Sequence, residues 1–139
     1  MSLQHIEQHI AELHNVTKLE HFGYTFFFYG SEQVLPFVTF AASDNEHDNI
    51  SNLDRDGVFR VNIGIAKDSF NELFAGNESK WDYTTLNRFM PHPDYAAQHF
   101  ICILNPEGQQ LTETMTFITE AHLVAKNRFD KKQAAKMKE

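Results

Sequence analysis

Cysteine is nearly absent from this chain. The one thiol, Cys102, stands inside the apolar run 100–104, so an internal disulfide framework is excluded. A reactive thiol needs exposure and a lowered pKa, whereas this setting predicts a buried, inert one. Long hydrophobic runs are missing as well. No stretch approaches the ~20 apolar residues of a membrane helix, and the start lacks the pattern of a signal peptide. A cytoplasmic protein with no membrane partner is expected.

The common chemical signatures are missing too. The sequence has no phosphate-binding loop, no G-x-G-x-x-G, no G-x-S-x-G and no paired cysteines for zinc. Nucleotide hydrolysis, dinucleotide oxidoreduction and acyl transfer from a nucleophile elbow thus lose their usual marks. No cofactor and no metal is expected.

Positive charge is scarce in the body. Lys126, Arg128, Lys131, Lys132, Lys136 and Lys138 are six of the 12 basic residues, and all lie in the last 14 positions. Against Asp130 and Glu139 they leave that tail at +4, so with a net charge of −7 the body carries −11. An acidic body repels phosphate backbones and disfavours nucleic acid as a partner. The tail, about 126–139, reads either as a dock for an anionic partner or as a solvated helix end favoured by the helix dipole.

What is present is a packed pattern. Hydrophobic residues make up 42% of the 139, with 13 Phe among them, enough for the core of a single domain spanning 1–139. Leu3, Ile6, Ile10 and Leu13 recur at helical spacing and predict an amphipathic helix over 3–14. His5 and His9 share a face there, but the metalloprotease pattern needs Glu directly after the first His, where Ile6 stands. They read as surface histidines.

Residues 15–23 read as a connection. Residues 24–29, YTFFFY, are aromatic on both faces, as in a central strand covered on both sides. Gly30, Ser31, Glu32 and Gln33 supply a hairpin-length loop, and Pro36 limits the start of the next strand, 37–42. Residues 43–52, SDNEHDNISN, are polar and aperiodic and predict a mobile surface loop. Its Asp44, Glu46, His47 and Asp48 do not match calcium-loop spacing.

The most informative stretch is 51–74. A turn at Asp56 and Gly57 leads into alternation over 58–65. Phe59, Val61, Ile63 and Ile65 fall on one face, and Val58, Arg60, Asn62 and Gly64 on the other. Ser69 with Glu72 forms a capping-box pattern, with Asp68 a rival cap. The helix that follows carries Phe70, Leu73 and Phe74 as its buried stripe and ends at Gly76.

Residues 77–80 read as a loop, and 81–90, WDYTTLNRFM, as a short helix capped from Asp82. Pro91 and Pro93 hold 90–94 extended. Residues 99–104 predict another strand, closed by a turn through Asn105, Pro106, Glu107 and Gly108. Leu111, Met115, Ile118, His122, Ala125 and Phe129 trace the stripe of a last helix from about Gln109 to beyond Phe129, with His122 as a core histidine. The order α-β-β-β-α-β-α, an antiparallel sheet of about four strands with an N-terminal and a long C-terminal helix, defines the fold class as α+β.

Seven polar residues are candidates for ligand binding: Asp54 and Arg55 before the strand, Arg60 and Asn62 on its polar face, His92 and Asp94 in the proline-stiffened loop, and His99 at the mouth of the last strand. Arg60 offers a planar donor fork for carboxylate or phosphate. Asn62 can orient a neutral group, and a histidine can act as general acid or base. The same residues have structural readings. Arg60 can pair with an acid across the sheet, Asn62 can satisfy backbone groups, His92 can stack on Tyr95 or Trp81, and Asp54 with Arg55 can be turn chemistry.

The blocks FFFYG at 26–30, SNLDRDGVFRVNIG at 51–64, MPHPDYAAQ at 90–98 and ICILNPE at 101–107 resemble a family of small bacterial proteins grouped only as a domain of unknown function. The resemblance runs from the first helix to about Arg128, and it implies no activity, substrate or cofactor. More distantly, the order of elements and the closing helix EAHLVAKNRF are similar to the MmcQ/YjbR-like proteins. That similarity implies a compact antiparallel sheet packed by helices on one side. Some of those proteins are described as DNA-binding-like on fold grounds, but a fold analogy is not a function, and the acidic body opposes it.

Three functions are compatible with this pattern. The first is a binding or interaction module holding a small polar or anionic ligand, or a protein partner, against the Arg60 and Asn62 face. The second is an enzyme with His92 or His99 as general base and Arg60 as electrostatic stabiliser. The third binds nucleic acid through the basic tail. An aromatic-lined pocket favours a small molecule and a flat face a protein. The enzyme requires a His and a carboxylate within hydrogen-bond reach in one concavity.

Overall fold

The computed structural model describes residues 2–31, 33–76 and 80–137. The elements run α1 (Ser2–Ala11), β1 (Val16–His21), β2 (Tyr24–Tyr29), β3 (Val38–Ala41), β4 (Arg60–Gly64), α2 (Lys67–Leu73), β5 (Met90–Pro91), a 3-10 turn (Ala96–Gln98), β6 (Phe100–Leu104) and α3 (Gly108–Met137). The fold is α+β. Its strands form one open antiparallel sheet in the order β1-β2-β3-β4-β6-β5. That is six strands, not the four expected.

Both extra strands lie at the edges, where apolar alternation is weakest. β1 occupies residues expected as a connection. Phe22 and Gly23 both take positive φ (51° and 80°), the mirror-image turn whose twist suits a two-residue hairpin. They pair β1 with β2 from His21 opposite Tyr24 to Val16 opposite Tyr29. The last four residues of β1 are exposed, so no buried face showed in its pattern. β5 is two residues long and contains Pro91, which a sheet edge tolerates.

The short helix expected at 81–90 does not form. Asp82 instead closes a turn on itself, its Oδ1 accepting from the Thr84 amide (3.0 Å) and hydroxyl (2.6 Å), the local competition by which Asp favours turns over helix. The cap of α2 also differs from expectation. Ala66 stands at the N-cap without a side-chain bond. Glu120 of α3 caps the helix from outside, accepting from the Ala66 amide (3.0 Å) and the Ser69 hydroxyl (2.8 Å). Phe70 and Phe74 pack on the core, whereas Leu73 is exposed. The loop expected at 77–80 lies outside the described residues except for Lys80, as do Glu32, Lys138 and Glu139.

The sheet has two different faces. On one, Phe27, Val38, Phe40, Val61, Ile63, Ile101 and Ile103 pack against Ile6 and Ile10 of α1 and Ile118, Ala121 and Ala125 of α3. Both apolar faces expected for β4 and for the last helix therefore meet in this layer. His122 sits at its margin, its Nε2 2.6 Å from the His14 carbonyl and its ring edge-on to Tyr29 and Phe37. The other face carries a smaller cluster of Ala41, Leu53, Met90, Cys102 and Leu104. Among the described residues neither α1 nor α3 packs in this cluster. A 3-10 turn at Ala96–Gln98 borders the face through Gln98, and Arg60 and Asn62 lie there. Among the described residues no helix is long and apolar enough to cross a membrane.

Candidate functional site

β4 delivers Arg60 and Asn62 to the open face because its alternate residues, Val61 and Ile63, are claimed by the helix layer. Arg60 is only 1% exposed. Its Nη1 donates to Asp48 Oδ1 (3.1 Å) and Ser51 Oγ (3.0 Å), its Nη2 to Asp48 Oδ2 (2.5 Å), and its Nε to Asn62 Oδ1 (3.0 Å). Asn62 passes the chain on, its Nδ2 donating to Thr39 Oγ1 at 2.9 Å. Its partners are thus side chains, not backbone.

Asp48 comes from the stretch 43–52, which is organised rather than free. Asn45 Oδ1 accepts the amides of His47 (2.8 Å) and Asp48 (3.0 Å), and the Tyr24 hydroxyl donates to Asp48 Oδ2 (2.9 Å). Burial pushes the Asp48 carboxyl up, but the hydrogen bonds and charge of Arg60 outweigh it and hold the group below the usual carboxylate range. Burial likewise works against the Arg60 charge, and Asp48 overcomes it. The pair is ionised.

His92 is held between Pro91 and Pro93 and is 5% exposed. Its Nδ1 accepts the backbone amides of Asp94 (3.0 Å) and Tyr95 (3.1 Å), so the proton of the neutral ring sits on Nε2. Among the described residues Nε2 has no hydrogen-bond partner. Burial, then the Arg60 charge, drive the imidazole down to about 4, with Asp48 offsetting part of the effect. His92 is therefore a neutral donor at pH 7. Its ring lies 5.0 Å from that of Tyr95.

These groups border one cleft of about 510 Å³ on the open face. Tyr24, Phe26, Tyr95 and Phe100 supply aromatic walls, and Val34, Leu35 and Pro36 close one side. Arg60, Asn62, Thr39, Asp48, Asp94 and His92 supply its polar lining.

Of the seven sequence candidates, Arg60, Asn62, His92 and Asp94 are brought together here, and Asp54, Arg55 and His99 are not. Asp54 Oδ1 accepts the Asp44 amide (3.1 Å), while Asp44 Oδ1 accepts the Leu53 amide (2.8 Å), a reciprocal clasp within the loop. Arg55 donates to the carbonyls of Asn52 (2.9 Å), Ser51 (3.0 Å) and Thr84 (3.0 Å), tying the loop to the 81–89 segment. His99 takes a left-handed backbone, φ 65°, and turns its ring to Phe70 of α2 at 5.6 Å. Cys102 is fully buried, and burial pushes its thiol up to about 12.

Sequence reading missed Asp48, Tyr24 and the aliphatic wall at 34–36. The acidic stretch did hold the signal for Asp48, since an Arg on a strand face needs an acid from somewhere. Nothing in its spacing said which one.

The architecture is thus an α+β sheet with α1 and α3 on one face and a cleft of about 510 Å³ on the other. Residues 1–134 match the model of a family described as Family of unknown function (DUF6194), and the chain belongs to that family. No curated protein and no solved structure matches it.

Proposed function

We propose that the protein is a binding module for a small, uncharged molecule with an apolar body and a hydrogen-bond acceptor. The observation that carries this reading is the aromatic-walled cleft over an already neutralised ion pair. Its volume, about 510 Å³, lies within the range of small-molecule sites, as does its pattern of apolar walls with few convergent polar groups. A concave, aromatic surface of this kind favours a small ligand over a protein.

Electrostatics then narrows the ligand. Asp48 answers the Arg60 charge through both of its oxygens, and Asp94 adds a carboxylate to the lining. An anion entering here would meet no uncompensated cation, so of the polar and anionic ligands expected for this face the polar ones fit. His92 supplies the outstanding donor, Nε2–H, for a carbonyl or similar acceptor. A general base works best with a pKa near the operating pH, and a histidine lowered to about 4 without a carboxylate partner serves recognition better than proton abstraction. Kinship with MmcQ/YjbR-like proteins, proposed on element order and the closing helix, adds architecture to this reading but no ligand.

Thermal unfolding against a panel of uncharged amides and ketones with aromatic or branched aliphatic bodies, beside matched carboxylates, tests the proposal. A ligand at 100 times its Kd stabilises the native state by about 2.7 kcal/mol, a shift of several degrees in Tm. Neutral members should raise Tm, and Tyr95→Ala with Leu35→Ser should abolish the shift without unfolding the protein. A response confined to the carboxylates would sink the reading.

A further inference from the structure

β1 closes one edge of the sheet, with β2 as its strand neighbour on one side and no strand on the other among the described residues. The phase of the β1–β2 ladder follows from its two ends. The Gly30 amide donates to the Asn15 carbonyl at 2.7 Å, and the two-residue turn at Phe22 and Gly23 closes on His21 and Tyr24. Odd-numbered residues of β1 therefore bond inward, and the N–H and C=O groups of Val16, Lys18 and Glu20 point away from the sheet.

Such an edge is a template for another strand unless something blunts it. The opposite edge is blunted: β5 has two residues, one of them Pro91. β1 contains no proline, and its register with β2 runs unbroken over all six residues. Leu19 and Phe22 are also exposed there, at 40% and 84%.

Charge then selects the occupant. Two antiparallel copies of β1 joined through their outward groups must align even-numbered residues with even-numbered ones. Centring on Lys18 sets Lys against Lys, and centring on Glu20 sets Glu against Glu. Centring on Leu19 sets each Lys18 opposite Glu20 of the second copy, twice. Cross-strand opposite charges stabilise and like charges oppose pairing. Within one chain Lys18 already lies 3.0 Å from Glu20 and 3.6 Å from Glu7, so pairing would gather these charges at a single dyad.

We propose that β1 is a self-association edge, and that two copies pair antiparallel about Leu19 to make one continuous sheet. The contact is isologous and closed, because the β5 edge offers no matching strand for further growth. The dyad stands perpendicular to the sheet, which sets both clefts on the same side. A single strand pair buries little surface, so the dimer belongs to the weak, concentration-dependent class.

Sedimentation equilibrium over a concentration series reaching about 1 mM tests this with charge variants. The wild-type weight-average mass should rise from 16.1 kDa toward its double. Lys18→Glu and Glu20→Lys should each remain at the monomer mass, because each sets like charges opposite. Mixing the two variants in equal amounts should restore the doubling, and so should the exchange K18E/E20K in one chain. Both side chains are exposed, and far-UV circular dichroism shows whether each variant is folded. A wild type that stays monomeric overturns the proposal. So do single variants that associate as tightly as wild type, or a mixture that does not associate.

Discussion

His92 shows how a single side chain ties the cleft to acidity. In the unfolded chain its imidazole titrates near 6.5, whereas burial and the neighbouring guanidinium lower it to about 4 in the fold. Between those values the unfolded state binds the extra proton, so stability falls as pH drops through that window and is fully present above about 6.5. At 1.36 kcal/mol per pKa unit the loss by pH 4 is about 3 kcal/mol. Asp48, with its carboxyl held low, contributes stability that is lost only at more acid pH. His92→Asn keeps an acceptor for the Asp94 and Tyr95 amides but cannot titrate. Urea midpoints at pH 7 and 4.5 should therefore converge in that variant and diverge in the wild type; equal pH dependence in the two would remove His92 as the cause. The imidazole was legible in sequence as a stiffened histidine. Its lowered pKa was not, since that depends on Arg60 and Asp48 arriving from elsewhere in the chain.

At the scale of elements, Gly64 decides how the cleft is walled. A Cβ there would lie 2.8 Å from Phe100 Cζ and 2.9 Å from Cε1, so the ring of Phe100 rests directly on the β4 backbone. Gly64→Ala should force the ring toward the cleft and cost about 1–3 kcal/mol by overpacking. The same substitution in a Phe100→Leu background should cost almost nothing, as two urea titrations would show. An equal cost in both backgrounds would mean that the ring is not the obstacle. Such close approaches explain which elements could be read in advance. β2, β4, β6, α1 and α3 each bury a regular stripe in the helix layer, and that period is what sequence reveals. β1 buries little along its length, α2 takes its cap from Glu120 on another helix, and 81–89 is governed by local bonds of Asp82. Those three depend on contacts without a period. The site divides the same way: Arg60 and Asn62 follow from alternation, whereas Asp48 reaches Arg60 through a loop whose order comes from the Asn45 turn.

At the scale of the whole molecule, the central strands belong to both faces at once. Val61 and Ile103 pack under the helices while Arg60, Cys102 and Leu104 form the opposite surface, so neither face can dissolve without breaking the other's strands. Two spectroscopic signals report on the two sides. Trp81, the sole tryptophan, packs with the open-face cluster, 5.5 Å from the Phe74 ring and beneath the Arg88 guanidinium at 4.7 Å. The helical circular dichroism comes mainly from α3, 30 residues long, whose Ile118, Ala121 and Ala125 pack into the other layer. Were the open-face loops a separately melting layer, tryptophan emission would shift at lower urea than the helical signal. Because Asp48 is bolted to Arg60 on β4 and Arg55 to Thr84, the loops are fastened to the sheet and to each other. The two transitions are expected to coincide in one cooperative step, the test of two-state behaviour. An early tryptophan transition would show the cleft to be a mobile cover rather than part of the folded core.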